Sequence, residues 1–410
     1  MRSADRRPSP AGAAGPWFRT GAVLMSLLAF FALSCSDDST GPGDPDPDPL
    51  ACDDTPGSIC TWAGTGDAAF DGDGHSLLAS SFYWPIDLTF LSSGKVVILD
   101  WNNHRVRMLQ PDNTLQTIIG TDFVGDGPPD FSDFIPPGAP GTTIDLNHPT
   151  HILELPDGRL LLTAWHNHKM RVWDPNTGLT LVTCGRGAGF QGDGGPAEDA
   201  LLNQPQQTIL STNGDLYVLD QRNQRVRMIA GDTGIITTVV GSGVAGFAGD
   251  GGPPLEAQIS LHTGSNPPAS GAIALDDQGR LYISDTKNHR IRMVDFDQNV
   301  ITTIAGNGLS GYNGDDQLAV QASLNNPKDV EVGPDGRLYV ADDLNNRVRA
   351  IDPATGIITT VAGNGEAAFA GDGGPAVEAS LFRPSGIAFD SEERLYIADT
   401  FNNRIRRVNP

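Results

Sequence analysis

The chain has 410 residues and a formal net charge of −23, and it contains 49 glycines and 30 prolines. Helices tolerate neither residue well, so the composition favours many short strands joined by turns over a helical bundle. The negative charge repels phosphate backbones and anionic lipid, which argues against nucleic acid as a partner and against direct adsorption to a membrane.

Residues 1–34 have the pattern of an export signal. Four arginines precede an apolar run of 13 residues at positions 21–33, which is short for a membrane span. The run ends in Ala-Leu-Ser-Cys, which resembles a bacterial lipobox and implies that Cys35 carries a lipid. The sequence therefore predicts an exported protein anchored in the cell envelope, facing the periplasm or the surface. Ordinary cleavage nearby and an uncleaved anchor remain alternatives.

Residues 35–57 read as an Asp/Pro-rich tether. Almost no apolar residue occurs here, and repeated Asp-Pro pairs keep such a segment extended. We expect it to hold the domain at 58–410 away from a membrane that the protein contacts only through its lipid. Cys52 and Cys60, eight residues apart across a Pro-Gly turn, are expected to form a disulfide in an oxidising compartment, and Cys184 to be a buried thiol.

The domain consists of six copies of one unit, each marked by two motifs. An aromatic-x-Gly-Asp segment occurs six times, first at Phe70 and last at Phe369. An Asp-x-x-Asn-x-Arg segment occurs in five intact copies and in one degenerate copy at 164–171. The Asp and Arg of the intact copies are Asp100 and Arg105, Asp220 and Arg225, Asp285 and Arg290, Asp342 and Arg347, and Asp399 and Arg404.

Each unit reads as four strands. In the fifth unit we predict strands at 329–332, 337–341, 347–351 and 357–362, from alternating and β-branched residues bounded by turn signals. The sixth unit stops after its third strand, and residues 58–64 fit the missing fourth place. The prediction is an all-β, six-bladed β-propeller in which the N-terminal strand completes the last blade and removes exposed sheet edges.

The repeat resembles the NHL repeat. Residues 384–406 carry Pro-x-Gly-Ile-Ala, then Leu-Tyr-Ile-Ala-Asp-x-x-Asn-x-Arg-Ile-Arg, and the resemblance covers 58–410. It implies a six-bladed propeller of a bacterial secreted or lipoprotein type. It implies little about function, because propellers host many unrelated activities.

The repeated Asp and Arg are expected to pair across their turn and to be structural, since a catalytic site needs one special place and not five equivalent ones. The Gly-Asp loops are interpreted in the same way, as capped turns. Calcium at Asp71 and Asp73, or at Asp315 and Asp316, is the alternative.

Blade two breaks the repeat and is the predicted binding region. Ala164 replaces the motif Asp, Lys169 replaces the Arg, and an unusually long connection precedes them. Blade four has a second irregular segment at 262–270. Exposed aromatic residues and insertions are where a protein or glycan partner would be bound, and the alternative is a drifted blade with no task. The candidates are Phe131, Phe134, His148, His151, Trp165, His166 and His168.

The first strand of each blade should line a central channel. Asp87, His151 and Asp329 would face it, and could hold a divalent metal. Related six-bladed propellers include lactone hydrolases and zinc-dependent amidating lyases with metal in this place, so a metal-dependent hydrolase or lyase is the alternative function. The lyases use several channel histidines, whereas this ring has one. The leading prediction is a monomeric, non-enzymatic binding scaffold without a cofactor; the channel would then be polar, filled with water and free of metal.

Overall fold

The computed structural model describes residue 52, residues 54–262, residue 264 and residues 268–410. These residues form six antiparallel sheets that are repeated around a channel, so the predicted six-bladed β-propeller is confirmed. The predicted export signal, the lipid site at Cys35 and most of the tether lie outside the described residues and stay predictions.

Each blade has four principal strands, ordered outward from the channel, and some blades add a two-residue edge strand. In chain order, the strands are β1 (Ile59–Ala63); in blade one, β2 (Pro85–Phe90), β3 (Val96–Asp100), β4 (Arg105–Leu109) and β5 (Leu115–Ile119); in blade two, β6 (Ala139–Pro140), β7 (Pro149–Glu154), β8 (Leu160–Ala164), β9 (Lys169–Trp173) and β10 (Leu179–Cys184); in blade three, β11 (Gly195–Pro196), β12 (Pro205–Leu210), β13 (Leu216–Asp220), β14 (Arg225–Ile229) and β15 (Ile235–Val240). Blade four contains β16 (Ile273–Leu275), β17 (Leu281–Asp285), β18 (Arg290–Asp295) and β19 (Val300–Ala305). Blade five contains β20 (Gln317–Leu318), β21 (Pro327–Val332), β22 (Leu338–Asp342), β23 (Arg347–Ile351) and β24 (Ile357–Ala362). Blade six contains β25 (Pro384–Phe389), β26 (Leu395–Asp399) and β27 (Arg404–Val408).

The helical segments of the described chain are single 3-10 turns, and none of them has the length or apolar character needed to cross a membrane. Their bounds are Leu77–Ala79, Trp101–Asn103, Ser132–Phe134, Gly141–Thr143, Ala197–Asp199, Gln221–Asn223, Pro254–Glu256, Thr286–Asn288, Ala319–Gln321, Asp343–Asn345, Ala376–Glu378 and Thr400–Asn402.

The ring is closed by the N-terminal strand, as predicted. Strand β1 pairs with β27 in antiparallel register, with Ile59 opposite Val408 and Thr61 opposite Arg406. The predicted disulfide between Cys52 and Cys60 is formed, with 5.4 Å between the two Cα atoms. It attaches the segment before β1 to the strand that completes the sixth sheet.

Apolar side chains fill the space between neighbouring blades. Val97 and Leu99 of blade one, for example, share a buried cluster with Ile152 and Leu162 of blade two. Cys184 is fully buried in the next cluster, and burial raises the pKa of its thiol to about 12, which keeps it protonated and unreactive. Each blade is therefore stabilised mainly by its two neighbours.

The two repeated motifs are the two halves of one buried ion-pair network. In the backbone register, the motif Asp lies opposite the Arg that follows it by five residues, as Asp342 does opposite Arg347. Its carboxylate, however, forms an ion pair with the Arg that follows it by seven residues. In blade five, Arg349 is fully buried between Asp342 at 3.5 Å and Asp315 at 2.7 Å. The predicted pairing across the turn is therefore wrong. The same double pairing joins Arg107 to Asp100 and Asp73, Arg227 to Asp220 and Asp193, Arg292 to Asp285 and Asp250, and Arg406 to Asp399 and Asp372.

The Arg that follows the motif Asp by five residues instead contacts the aromatic ring of the aromatic-x-Gly-Asp motif. Arg347 lies 3.9 Å from the ring centroid of Tyr312, a cation–π geometry. The other copies have the same contact at 3.7–4.0 Å: Arg105 on Phe70, Arg225 on Phe190, Arg290 on Phe247 and Arg404 on Phe369. At the two predicted calcium loops, one Asp73 oxygen accepts hydrogen bonds from Thr117 and one Asp315 oxygen is bound by Arg349, so these carboxylates already have partners within the protein.

Adjacent blades are also joined by a repeated side-chain hydrogen bond. The turn between the second and third strands of each blade is called the 2–3 turn. The side chain of its last residue accepts a hydrogen bond from a backbone N–H at the start of the next blade, as Asn346 Oδ1 does from Arg383 N at 3.0 Å. The other acceptors and their donors are Asn403 with Trp84, His104 with His148, His168 with Gln204, Gln224 with Leu261, and His289 with Asn326.

Removing this interblade hydrogen bond should destabilise the ring. We expect Asn346→Ala to lower the free energy of unfolding by about 2 kcal/mol, because it strands the Arg383 N–H and places alanine at a positive φ. Asn346 has φ 52°. Asn346→His supplies the ring-nitrogen acceptor that three other blades have at this position, and it should cost less than half as much. Urea denaturation of the two variants checks this, and equal losses would contradict the role of the acceptor.

Candidate ligand-binding site at the channel mouth

On one face of the ring, around the channel, the residue before each strand-opening proline lies next to the residues that follow the motif Asp. Pro85, which begins the inner strand of blade one, is paired with Asp100, which ends the second strand. The residue before the proline, Trp84, is therefore a neighbour of the residue after the aspartate, Trp101. The same pairing recurs in other blades, for example between Pro384 and Asp399, so these positions form a ring of loop residues at the channel mouth.

Aromatic side chains fill these positions in blades six, one and two. Phe401 stacks on Trp84 with 4.7 Å between ring centroids, and Trp84 stacks on Trp101 at 6.0 Å. Trp101 in turn contacts the ring of His148 at 4.1 Å. We call this surface the aromatic mouth and define it by Trp84, Trp101, His148, Trp165, His166 and Phe401.

The blade-two part of the aromatic mouth is a histidine pair on a tryptophan floor. The His166 ring stacks on Trp165 at 3.8 Å, and Trp165 is fully buried, with its Nε1 donating to Gln221. The two Nδ1 atoms of His148 and His166 lie 2.8 Å apart. One nitrogen of this pair must donate and the other must accept, so the geometry requires that at least one of the two rings is neutral.

Burial lowers the pKa of both histidines, to about 3 for His148 and about 4 for His166, with repulsion from neighbouring cationic rings as the next cause. Both are therefore neutral at physiological pH. The aromatic half of the mouth presents flat apolar rings and neutral hydrogen-bonding atoms, but no charge of its own.

The opposite part of the mouth is polar and charged. Arg383 forms two hydrogen bonds of 2.9 Å to Asp343, and its guanidinium lies 4.7 Å from the Phe401 ring centroid. Lys287 donates to Asn326 at 2.6 Å. A ligand across the channel would therefore meet aromatic rings on one side, and on the other an arginine already neutralised by Asp343 and a lysine bound to Asn326.

The residue before the strand-opening proline has a positive φ in five of the six blades. The five residues, with φ between 55° and 60°, are Trp84, His148, Gln204, Asn326 and Arg383. A bulky residue is disfavoured at positive φ, and a following proline restricts it further. Each such position costs of the order of 1 kcal/mol or more. Because the conformation recurs in five blades, it belongs to the repeat and does not distinguish the aromatic positions from the others.

The long connection before blade two supplies the carboxylate that the degenerate motif lacks. Its inner part packs within the blade and is not a binding loop. Asp133, from the 3-10 turn Ser132–Phe134, pairs with buried Arg171 at 3.3 Å and so replaces the carboxylate lost at Ala164. Lys169 lies 5.0 Å from the ring centroid of Phe134. The predicted candidate Phe134 is thus part of the blade's own packing.

The remaining blade-two candidates are dispersed. His168 accepts the interblade hydrogen bond from Gln204 at 3.0 Å, which is a structural task. Phe131 is 62% exposed, but the ring contacts of the aromatic mouth within the described residues do not include it. Trp165 is buried, so it is not the exposed aromatic residue that the sequence predicted. Only His148, Trp165 and His166 come together.

The irregular segment of blade four reaches the neighbouring loop. Gln221 Nε2 donates to Pro268 O at 2.9 Å and to Ser270 Oγ at 3.1 Å, while Gln221 Oε1 accepts from Trp165. This segment thereby supports the floor of the aromatic mouth.

The three predicted channel residues lie together, as the sequence indicated, and the metal site proposed for them stays a prediction. Asp87, His151 and Asp329 line one cavity of about 20 Å³, room for a single water molecule. His151 Nε2 is 4.0 Å from Asp87 Oδ2, and the two Asp329 oxygens accept backbone N–H groups from Val330 and Ile387. Across 52, 54–262, 264 and 268–410, no three His, Cys, Asp or Glu side chains are grouped to hold a metal ion.

The sequence prediction missed Trp84, Trp101, Phe401 and Arg383. Each lies at a position that differs between repeats, next to residues that are constant: before the strand-opening proline, or just after the motif Asp. Comparing the repeats position by position is the signal that could have found them.

Comparison with known proteins supports the repeat assignment. The NHL repeat model matches residues 82–108 and 271–292. The chain is 26% identical over 279 residues to Protein SUPPRESSOR OF QUENCHING 1, chloroplastic, from Arabidopsis thaliana, which covers 54% of this chain and 26% of that protein. It is 23% identical over 335 residues to NHL repeat-containing protein 2 from Homo sapiens, covering 76% and 44%. The chain thus spans less than half the length of these relatives.

Solved structures show the same fold at low identity. A protein of unknown function from Bacteroides thetaiotaomicron superposes with a TM-score of 0.61 at 19% identity, covering 85% of this chain and 75% of that one. An auxiliary nutrient binding protein from the same organism has a TM-score of 0.57 at 18% identity, with the same coverage. At these identities the likeness establishes the fold alone.

Proposed function

We propose that this NHL-repeat six-bladed propeller is a non-enzymatic recognition module that binds a glycan across the aromatic mouth. The observation that carries the proposal is the continuous aromatic surface from Phe401 through Trp84 and Trp101 to His148, which bridges three blades. Aromatic residues and arginine are the side chains that most often dominate binding energy at a recognition surface.

The chemistry of the mouth favours a neutral amphipathic ligand. Sugar rings have an apolar C–H face that packs on tryptophan, and hydroxyl groups that need neutral donors and acceptors. The low pKa values of His148 and His166 keep both rings uncharged.

The alternative, a metal-dependent hydrolase or lyase at Asp87, His151 and Asp329, has less support. The cavity that these residues line is about 20 Å³, far below the few hundred Å³ of a typical substrate site. An auxiliary nutrient binding protein among the structural neighbours shares the architecture, so the fold is compatible with ligand binding.

The proposal includes the predicted location of the domain. Lipidation at Cys35 and the Asp/Pro-rich tether would place the propeller at an envelope surface as a monomer, with its mouth accessible to extracellular glycans. Both features follow from residues 1–57 of the sequence.

A glycan array with the mature protein tests the proposal, followed by titration of the best glycan. We expect Trp84→Ala and Trp101→Ala each to weaken binding by about tenfold or more, the effect of removing a central aromatic contact. The matched control is Phe131→Ala, which removes an exposed aromatic residue outside the mouth and should leave the affinity unchanged. Thermal melts establish that each variant is folded.

Other outcomes are decisive. If no glycan binds, or if Phe131→Ala reduces binding as strongly as Trp84→Ala, the glycan site is not at the aromatic mouth. If the propeller captures a protein partner, and still captures it when both tryptophans are replaced, the aromatic mouth is not the binding surface. That result would also contradict the proposal.

A further inference from the structure

A second concave site lies between blades four and five, on the face opposite the aromatic mouth. The cleft has a volume of about 860 Å³ and is lined by the loops that join strands one and two of both blades and by the loop that joins strands three and four of blade five. Because strand direction alternates, these loops emerge away from the 2–3 turns. Its apolar lining includes Tyr282, Met293, Ile304, Val332 and Ile351.

The cleft exists because an aromatic residue that fills neighbouring interfaces is absent. The inner strands of blades six and one end in phenylalanine: Phe389 packs on Tyr339 at 4.8 Å, and Phe90 packs on Tyr396 at 4.6 Å. The inner strand of blade five ends in Val332. The corresponding tyrosine, Tyr282, is 7% exposed and packs in the cluster that includes Val332, and it contributes to the wall of the cleft.

At the outer end of the cleft, away from the channel, a second aromatic residue that fills another blade interface is also absent. In blade four, Phe296 follows the third strand and packs on the cluster shared with blade three, 5.8 Å from Tyr217. Its counterpart in blade five is Pro353, which lines the cleft without filling it. Leu318 and Val320 border this end and are 44% and 46% exposed.

The tyrosine wall is held in a fixed orientation. Asp276 accepts hydrogen bonds from Tyr282 Oη at 2.9 Å and from Arg280 Nε at 2.6 Å. The guanidinium of Arg280 is thus already paired with a carboxylate. The wall is preformed, so a ligand would bind without ordering it.

The rim is negative. Its charged side chains are Asp276, Asp277, Arg280 and Asp352, three carboxylates against one guanidinium. With Asp276 paired to Arg280, Asp277 and Asp352 carry the excess charge. Asp277 is exposed and Asp352 is half-buried at the mouth of the cleft.

We propose that this cleft binds a small amphipathic cation, a molecule with an aromatic or branched apolar body and a single amine. The volume lies within the range of small-molecule sites, the lining is largely apolar, and the excess carboxylates complement one positive charge. The site is independent of the glycan proposal, because it uses other blades and the other face.

The probes are 1-naphthylmethylamine and 1-naphthoic acid, which share a ring system and differ in charge. In calorimetric titrations of the mature protein at pH 7 and low salt, we expect the amine to bind with one site per chain and a Kd of about 0.1–1 mM. The acid should bind at least about fivefold more weakly, because the rim repels it.

Three variants localise the binding. Val332→Phe restores the residue found in blades one and six and should weaken the amine by about tenfold or more, since it fills the cleft. Leu318→Lys changes an exposed rim position, so the fold is retained, and it should weaken the amine by about threefold through repulsion. Trp84→Ala, at the aromatic mouth, should leave amine binding unchanged.

The proposal is overturned if the amine does not bind, if both Val332→Phe and Leu318→Lys leave its affinity unchanged, or if the acid binds as tightly as the amine. An effect of Trp84→Ala equal to that of Val332→Phe would also overturn it, because it would assign the amine to the other face. Failure of the glycan array does not bear on these measurements.

Discussion

Replacing Arg349 with methionine should lower the free energy of unfolding by about 3–5 kcal/mol, the cost of breaking a buried ion pair from one side. Arg349 is fully buried and pairs with Asp315 at 2.7 Å and with Asp342 at 3.5 Å, and it also donates to Gly314 O at 3.0 Å. Methionine keeps most of the volume but leaves the buried Asp342 carboxylate without its cation. Urea denaturation at pH 7 measures the loss.

Two controls separate this effect from the loss of any arginine. Arg186→Ala removes an exposed pair with Asp199 and should change stability by no more than about 0.5 kcal/mol. Arg347→Met removes the cation–π contact with Tyr312 and hydrogen bonds to Asn345 O and Asn364 O, and it should cost about 1–2 kcal/mol, less than Arg349→Met. If Arg347→Met were the more damaging change, the doubly paired Arg349 would not be the main source of stability in this network.

The choice between these two arginines illustrates what the sequence could not decide. Arg347 and Arg349 are two residues apart on β23, so both side chains lie on the same face of the strand. The repeat predicted the blades, the closing strand and the presence of a charged turn, because these depend on local pattern and on counting. Which arginine meets which carboxylate depends on how the aromatic-x-Gly-Asp loop folds back, and that is a tertiary contact.

Blade two shows the same limit on a larger scale. Its lost motif Asp suggested a blade released for binding, but Asp133 supplies a carboxylate to Arg171 from 38 residues earlier in the chain. A compensation at that distance leaves no periodic trace. The aromatic mouth was half predicted. His148, Trp165 and His166 were expected, whereas Trp84 and Phe401 come from blades one and six and join it only because the ring closes.

The channel should make stability strongly dependent on pH through Glu331. This residue follows Asp329 by two positions on β21 and so lies on the same side of the strand. Burial and the neighbouring Asp329 raise the pKa of Glu331 to about 8, and burial raises the pKa of Asp329 to about 6. Burial and the Asp329 charge also raise the pKa of Asp87.

A carboxyl group whose pKa is higher in the folded than in the unfolded chain stabilises the fold while it is protonated. Its contribution is complete below the unfolded pKa of about 4.5 and is lost as the pH rises through about 8. Glu331→Gln removes this loss. We expect the variant to match the parent within about 1 kcal/mol at pH 4 and to be more stable by up to about 4 kcal/mol at pH 9.

Urea denaturation at the two pH values checks the sign as well as the size. Glu366→Gln changes an exposed glutamate and should give the same small difference at both pH values. If Glu331→Gln lost stability at pH 9, the carboxylate would have to be stabilised by a cation within the channel, and the best candidate would be Lys328, whose ammonium donates to Ser385 at 3.1 Å. The direction of the change therefore distinguishes a channel of mutually repelling acids from one in which a buried lysine neutralises them.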